Sequence, residues 1–478
     1  MKFNWSILNV DCPMQRELGV LFSTGLLCFA LFWGVFSAFQ NQTFFDDTLG
    51  IVAHSYERTD TETGFNISEN SSPYVEVTQE KYLRWDAEIF SFIRDRNYVF
   101  EEEFRGEVRA AFFPLFPFLW KTTGLSPRGV SVLNYIIFIL SMALLFAYLQ
   151  PRTPIRNKSK LPFFIALITL PTTIVYHIPY SESLFMLGMT VVVIGVLKEK
   201  YGLYFFGALL LAMVRPATVF VLISILAIEA FRFLCNRETN ALIKNSILRG
   251  TPFVMGYLLV FIIQWTTSGS WTSFFDAHQF WASGLPENTW ITDWSVEGYG
   301  MNVFSIFFIA IPACVLSGKI IWEHRRIKMQ KRDYLLLSSL LYISGILIFT
   351  ILTSNGNIHS LFRFIMASPL FYIAAIVLFF DFEKSAVDKP KLLKLNTIFI
   401  GLCIFMLAFI ALMPYGGDIF QFKYLGMLLL VGYTFFGMNY KRLNRPFGVV
   451  VFCALTIMST VWNTYLLNMM FCNGWTFT

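Results

Sequence analysis

The chain has 478 residues, of which 56% are hydrophobic, only 14% are charged and 53 are phenylalanine. An average soluble domain carries about 25% charged residues, and several runs here approach the roughly 20 apolar residues that cross a bilayer, so composition excludes a soluble globular protein and indicates a polytopic membrane protein. The formal net charge of +6 does not point to nucleic acid, because most basic residues lie in short loops between apolar runs, where membrane topology puts them.

Long unbroken apolar runs select helices over a barrel, giving an all-α polytopic fold organised as one membrane-embedded domain over 1–478. The first span is Leu18–Phe39, read as a retained helix or signal anchor because no short apolar core with a small-residue cleavage site precedes it. A polar stretch follows, and 40–128 forms the candidate catalytic loop region. Its first half carries Asn-x-Ser/Thr triplets at Asn41, Asn66 and Asn70, a weak pointer to a eukaryotic secretory compartment.

The segment Arg84 to Pro117 is the densest charge block in the chain. Ile89, Phe90 and Ile93 at helical spacing predict an amphipathic helix on the membrane surface, with Glu88, Arg94, Asp95 and Arg96 facing water or pairing along it. Glu101, Glu102 and Glu103 read first as a solvated charge run, with Glu101 and Glu102 as candidates to orient a polar acceptor. The Phe112–Trp120 segment is too short to span and reads as a re-entrant or interface-parallel element. Further spans are expected near 129–149, 161–176, 184–197, 202–214, 217–233, 247–267, 303–321, 334–353, 364–380, 396–413, 424–438 and 446–466, about thirteen in all, with Pro171, Pro179 and Pro216 as points where helices break.

With the N-terminus inside, the inside segments hold 24 Lys and Arg and the outside segments 12, eight of those within 81–128. The positive-inside rule then places Arg84–Pro117 outside the cytoplasm, in the ER lumen of a eukaryote or on the periplasmic face of a bacterium. His177–Ser183, Val214–Pro216, the 268–302 loop and Asn355–Arg363 fall on the same face.

Charge beside membrane segments is expensive and marks function. Asp86, preceded by Arg84 and Trp85, reads either as a general base or cation ligand or as a helix cap beside an interfacial aromatic. Arg215, Arg363 and nearby His359 sit at outer ends of spans, where arginine offers bidentate phosphate geometry or snorkels to headgroups. Glu182, between two serines, is hard to explain as packing. No P-loop, GxGxxG, HExxH or GxSxG occurs, and neither the seven scattered cysteines nor the five histidines give metal-ligand spacing.

These residues carry a resemblance. Trp85-Asp86-Ala87-Glu88-x-Phe90, Ile93, Asn97-Tyr98, Ala111-Phe112-Phe113-Pro114-Leu115-Phe116-Pro117, Asn134, Tyr180-Ser181-Glu182-Ser183-Leu184-Phe185 and Arg215 resemble, in order and spacing, the PIG-V-type GPI mannosyltransferases of the GT-C class, over about 83–217. The resemblance implies a GT-C glycosyltransferase fold and an extracytoplasmic site. It implies an inverting transfer of mannose from a polyprenyl (dolichyl or undecaprenyl) phosphate donor to a glycolipid or GPI-like glycan acceptor, with no cofactor and no metal. Asp86 then corresponds to the base, Glu182 to a group orienting substrate or Asp86's surroundings, and Arg215, with Arg363 or Arg84, to the cations on the leaving phosphate; Trp85, Glu101 and His359 complete the candidate substrate contacts. The sequence departs from the family in Pro216-Ala217-Thr218, where a Ser-Asn-Gly-like continuation follows the arginine, so bacterial relatives with other acceptors fit as well. A transporter of lipid-linked sugars is the alternative class; it predicts two corresponding halves, and the Trp85–Pro117 pattern has no second copy.

Overall fold

The computed structural model describes residues 12–39, 56–57, 66–67, 77–99, 106–150, 160–281, 300–327, 329–353, 358, 360–384, 389–412, 425–439 and 445–471. Helices dominate: α1 (Cys12–Phe39), α2 (Asp86–Arg96), α3 (Leu115–Thr123), α4 (Pro127–Leu149), α5 (Lys160–Ile168), α6 (Glu182–Lys198), α7 (Tyr201–Ala212), α8 (Thr218–Asn236) and α9 (Thr239–Ser268). They continue with α10 (Ser273–Trp281), α11 (Met301–Glu323), α12 (Lys331–Thr353), α13 (Leu361–Met366), α14 (Pro369–Lys384), α15 (Lys389–Leu412), α16 (Leu425–Asn439) and α17 (Arg445–Phe471). A two-residue antiparallel ladder, Tyr56–Glu57 against Asn66–Ile67, interrupts the helical pattern in the polar stretch.

Seven of the described helices are long and apolar enough to cross a membrane: α1, α4, α8, α9, α11, α12 and α17, the build of a polytopic membrane protein. Several other expected spans are shorter helices. The 161–176 run is a nine-residue helix, α5, followed by a turn and a 3-10 segment at Thr173–Tyr176; at 1.5 Å per residue α5 alone reaches only about 14 Å. Pro171, which has no N–H to continue the ladder, lies in that turn. The 364–380 run is likewise divided at Ala367–Ser368, between α13 and α14.

Burial ranks the helices. In the most apolar 18-residue window of α4, 72% of residues are buried, and 61% in that of α12, against 22% in α1 and in α9. The first pair is therefore central and the second peripheral, with Leu27, Leu31, Val254 and Leu258 projecting outward, as lipid-facing side chains do. Apolar surface gives helices little reason to associate inside lipid, so close approach through small residues matters more. A Cβ placed on Gly207 of α7 would come within 2.9 Å of the Val192 backbone nitrogen and 3.0 Å of the Gly188 carbonyl on α6. One on Gly256 of α9 would meet the Leu209 carbonyl of α7 at 2.7 Å. Glycine is thus what lets α6, α7 and α9 stack, and it fixes the helix that carries Glu182. In α11 the stretch Ser305–Ala310 widens into a π-turn just ahead of Pro312, which accommodates the proline without breaking the helix.

Beyond Arg215, in the C-terminal half of α8, buried Glu229 binds Arg249 of α9 at 2.7 Å and Arg232 at 3.3 Å, and accepts from Asn245 at 3.0 Å. The Arg249 guanidinium lies 4.4 Å from the centroid of the Tyr334 ring of α12. This second ion-pair group ties three helices together.

Candidate functional site

Asp86 opens α2. The residue before it, Trp85, has φ 55° and ψ −124°, an uncommon conformation for a side chain with a Cβ, and turns the chain so that the helix begins at Asp86. Of the apolar face expected of this helix, Phe90 and Ile93 are buried and Ile89 is half-buried. Ala87 is buried as well, and the Phe90 ring packs edge-on against Phe116 and Phe112 with centroids 5.0 and 5.3 Å apart. Glu88, Asp95 and Arg96 are exposed. Arg94 lies over the Trp120 ring at 4.6 Å and binds both Asp95 oxygens, and that hydrogen bonding holds the Asp95 carboxyl below its usual value. Phe112–Trp120 becomes a turn and α3, anchored by hydrogen bonds from Tyr98 Oη to the Phe112 carbonyl at 2.7 Å and from the Leu115 N–H to the Met213 carbonyl at 3.2 Å.

Glu182 opens α6, where the helix N-terminus favours a carboxylate. The loop leading to it is clamped from α4 by Asn134, whose Nδ2 donates to the Ile178 carbonyl at 2.8 Å and the Tyr180 carbonyl at 2.9 Å. Tyr176 stacks on Phe138 at 3.7 Å and donates to the Ala367 carbonyl at 2.7 Å, which joins this loop to the turn after α13.

Arg363 comes from the short helix α13. Ser360, just before it, takes a left-handed conformation (φ 60°), and the Phe362 N–H donates to Asn302 Oδ1 at 2.8 Å. Arg363 Nε then donates to Glu182 Oε1 at 2.6 Å and Nη2 to Asp86 Oδ2 at 2.6 Å. Its guanidinium sits 4.5 Å from the centroid of the Tyr180 ring, within cation–π range. Arg215, between α7 and α8, reaches the same Glu182 Oε1 at 3.0 Å.

Four charged side chains from four distant segments thus form one group of two guanidiniums and two carboxylates. Burial is graded across it: the Glu182 side chain is 0% exposed, Arg363 6%, Arg215 12% and Asp86 20%. Glu182 is the shared interior anchor and Asp86 the accessible edge. Glu182 Oε2 has no hydrogen-bond partner among the described residues. The helix-cap reading of Asp86 gives way to this ion pair, and the two arginines bond inward rather than snorkelling to headgroups.

Of the residues singled out by sequence, Asp86, Glu182, Arg215 and Arg363 are brought together. Trp85 supplies the turn, and Arg84 keeps its Nε buried without a hydrogen-bond partner among the described residues. Glu101 and His359 lie outside the described residues. Tyr180 and Asn134 belong to the site although sequence reading gave them no role; both lay within the matched motifs, which was the available signal. Among the described residues no three His, Cys, Asp or Glu side chains gather as a metal-holding group.

The fold and this group define a polytopic helical membrane protein with a buried, charge-balanced acid–arginine cluster. Comparison of the chain with protein-family models, with curated proteins and with solved structures finds no match.

Proposed function

We propose that the protein is an inverting GT-C glycosyltransferase, built on about thirteen membrane segments, that moves mannose from a polyprenyl-phosphate-mannose donor to a lipid-linked or GPI-like glycan acceptor on the extracytoplasmic face. The observation that carries the reading is the cluster itself: a partly accessible carboxylate, Asp86, hydrogen-bonded at 2.6 Å to an arginine that a buried glutamate anchors from behind. Arg363 engages Asp86 Oδ2, and the reading assigns Oδ1 to the acceptor hydroxyl. General-base transfer of that proton contributes typically 10²–10⁴-fold. The acceptor oxygen attacks the sugar C1 as the C1–O bond to phosphate breaks, and the configuration inverts through an oxocarbenium-like state of the kind glycoside chemistry uses. The guanidiniums of Arg363 and Arg215 stabilise the charge that develops on the leaving phosphate. Glu182 holds both arginines in place. The apolar helix α3 and its Phe-Pro entry border the groove for the lipid chain.

Transfer of labelled mannose from polyprenyl-phosphate mannose to a glycolipid acceptor by the purified protein tests the proposal. Asp86→Asn is expected to abolish transfer, by at least about 10²-fold, with the protein still folded. Full activity in that variant removes Asp86 as base, and movement of lipid-linked sugar across vesicles without transfer replaces the enzyme by a transporter.

A further inference from the structure

We infer that the Asp86–Arg363 ion pair is a proton-controlled latch on the phosphate site: the proton that Asp86 takes from the acceptor releases one arm of Arg363 to the leaving phosphate. The inference rests on the proposed transferase reading and assigns to that site a coupling between its base and its phosphate cation.

The geometry gives the two carboxylates different tasks. Glu182 is fully buried and receives Arg363 Nε at 2.6 Å and Arg215 at 3.0 Å, so its charge is fixed by two cations. Asp86 is the most exposed of the four and, among the described residues, pairs with Arg363 alone, through Nη2. Neutralising Asp86 therefore removes the carboxylate charge that faces Nη2 while Nε stays tethered to Glu182, so the cation gains a demand for a new anion without leaving the site.

Charge bookkeeping follows the same line. At rest the two guanidiniums and two carboxylates sum to zero. The acceptor O–H bond breaks and its proton goes to Asp86; the acceptor oxygen bonds the sugar C1; the C1–O bond to phosphate breaks and its electron pair stays on the phosphate. The donor, a phosphodiester with one negative charge, becomes a polyprenyl phosphate with two, and the cluster becomes net positive by one at that step. Cation and new anion appear together in a site of low polarity, where such an interaction is strong. Loss of the proton from Asp86 afterwards restores the ion pair and withdraws Arg363 from the product.

The test measures binding of polyprenyl phosphate, without sugar or acceptor, to the full-length protein in detergent micelles at neutral pH. Asp86→Asn, which mimics the protonated acid, is expected to bind it about tenfold more tightly than the unaltered protein, in line with the coupling of close charge pairs. Asp86→Ala deletes the same charge and gives the same gain should Asn fold poorly. Arg363→Gln placed in either background abolishes the gain. Asp95→Asn removes an equal charge from the exposed side of α2 and leaves affinity within about twofold. An Asp86 variant that binds no tighter, or an Asp95 variant that gains as much, overturns the latch while leaving the transferase reading intact. Failure of every form to bind polyprenyl phosphate overturns both.

Discussion

Removing Glu182 should cost more stability than removing the arginine it binds. Glu182→Leu takes away the anchor shared by Arg363 and Arg215, at 2.6 and 3.0 Å. It leaves two guanidiniums, 6% and 12% exposed, with Asp86 as the remaining carboxylate of the cluster. Deleting one partner of a buried ion pair typically costs about 3–5 kcal/mol, and this case belongs at the upper end because one substitution removes the carboxylate that two cations share. Arg363→Leu is milder: Glu182 keeps Arg215, and Asp86, at 20% exposure, can recover hydration, so about 2 kcal/mol is expected. The double variant should fall short of the sum of the singles by at least about 1 kcal/mol, because the two side chains share a contact. Unfolding by SDS titration in mixed micelles, run on the three variants, measures all of these quantities. A Glu182→Leu cost within the roughly 0.5 kcal/mol of an ordinary surface change, or a larger loss for Arg363→Leu, refutes the reasoning that Glu182 is the anchor.

Gly207→Leu should destabilise by at least about 2 kcal/mol through overpacking, since even a Cβ there comes within 2.9 Å of α6 backbone. Gly202→Ala, with no atom within 4 Å of its Cβ, is the matched control, and thermal unfolding separates the two. Asn134→Leu deletes the two buried N–H donors that hold the Ile178 and Tyr180 carbonyls; the Ile178 carbonyl keeps the Tyr180 N–H at 2.8 Å, so about 1–3 kcal/mol in all is expected. It should also lower transfer activity more steeply than a stability-matched Gly207→Ala variant, because the Asn134 clamp sets the approach to Glu182. Equal activity losses in the two would reduce Asn134 to a structural role.

The helical build was legible because a run of apolar residues states its solvent directly. The amphipathic face of α2 was equally readable: Phe90 and Ile93 recur at helical spacing and are buried, while Glu88 and Arg96 are exposed. Asp86, Glu182, Arg215 and Arg363 could be singled out one by one, since each is a charge where apolar residues are the rule. Their partnership could not. Arg363 lies 277 residues from Asp86, and no periodicity relates positions so far apart. The break at Pro171 was legible because proline has no N–H to continue the ladder, whereas the one at Ala367–Ser368 was hidden, since the apolar run continues on both sides while the helix stops there. Tyr180 and Asn134 are neutral, so charge singled out neither, although both act on the charged group.

The distance along the chain between Asp86 and Arg363 gives the cluster a history as well as a shape. In N-to-C synthesis Asp86 is made first and Glu182 next; Arg215 follows within a single helix hairpin and can neutralise Glu182 early. Asp86 acquires its cation only when α13 arrives, after α9, α11 and α12 have been made. Until then Asp86 lacks the Arg363 half of its ion pair, and the three members already made sum to one negative charge. The ion pair that closes the cluster is therefore also a report that the chain has been built through residue 363.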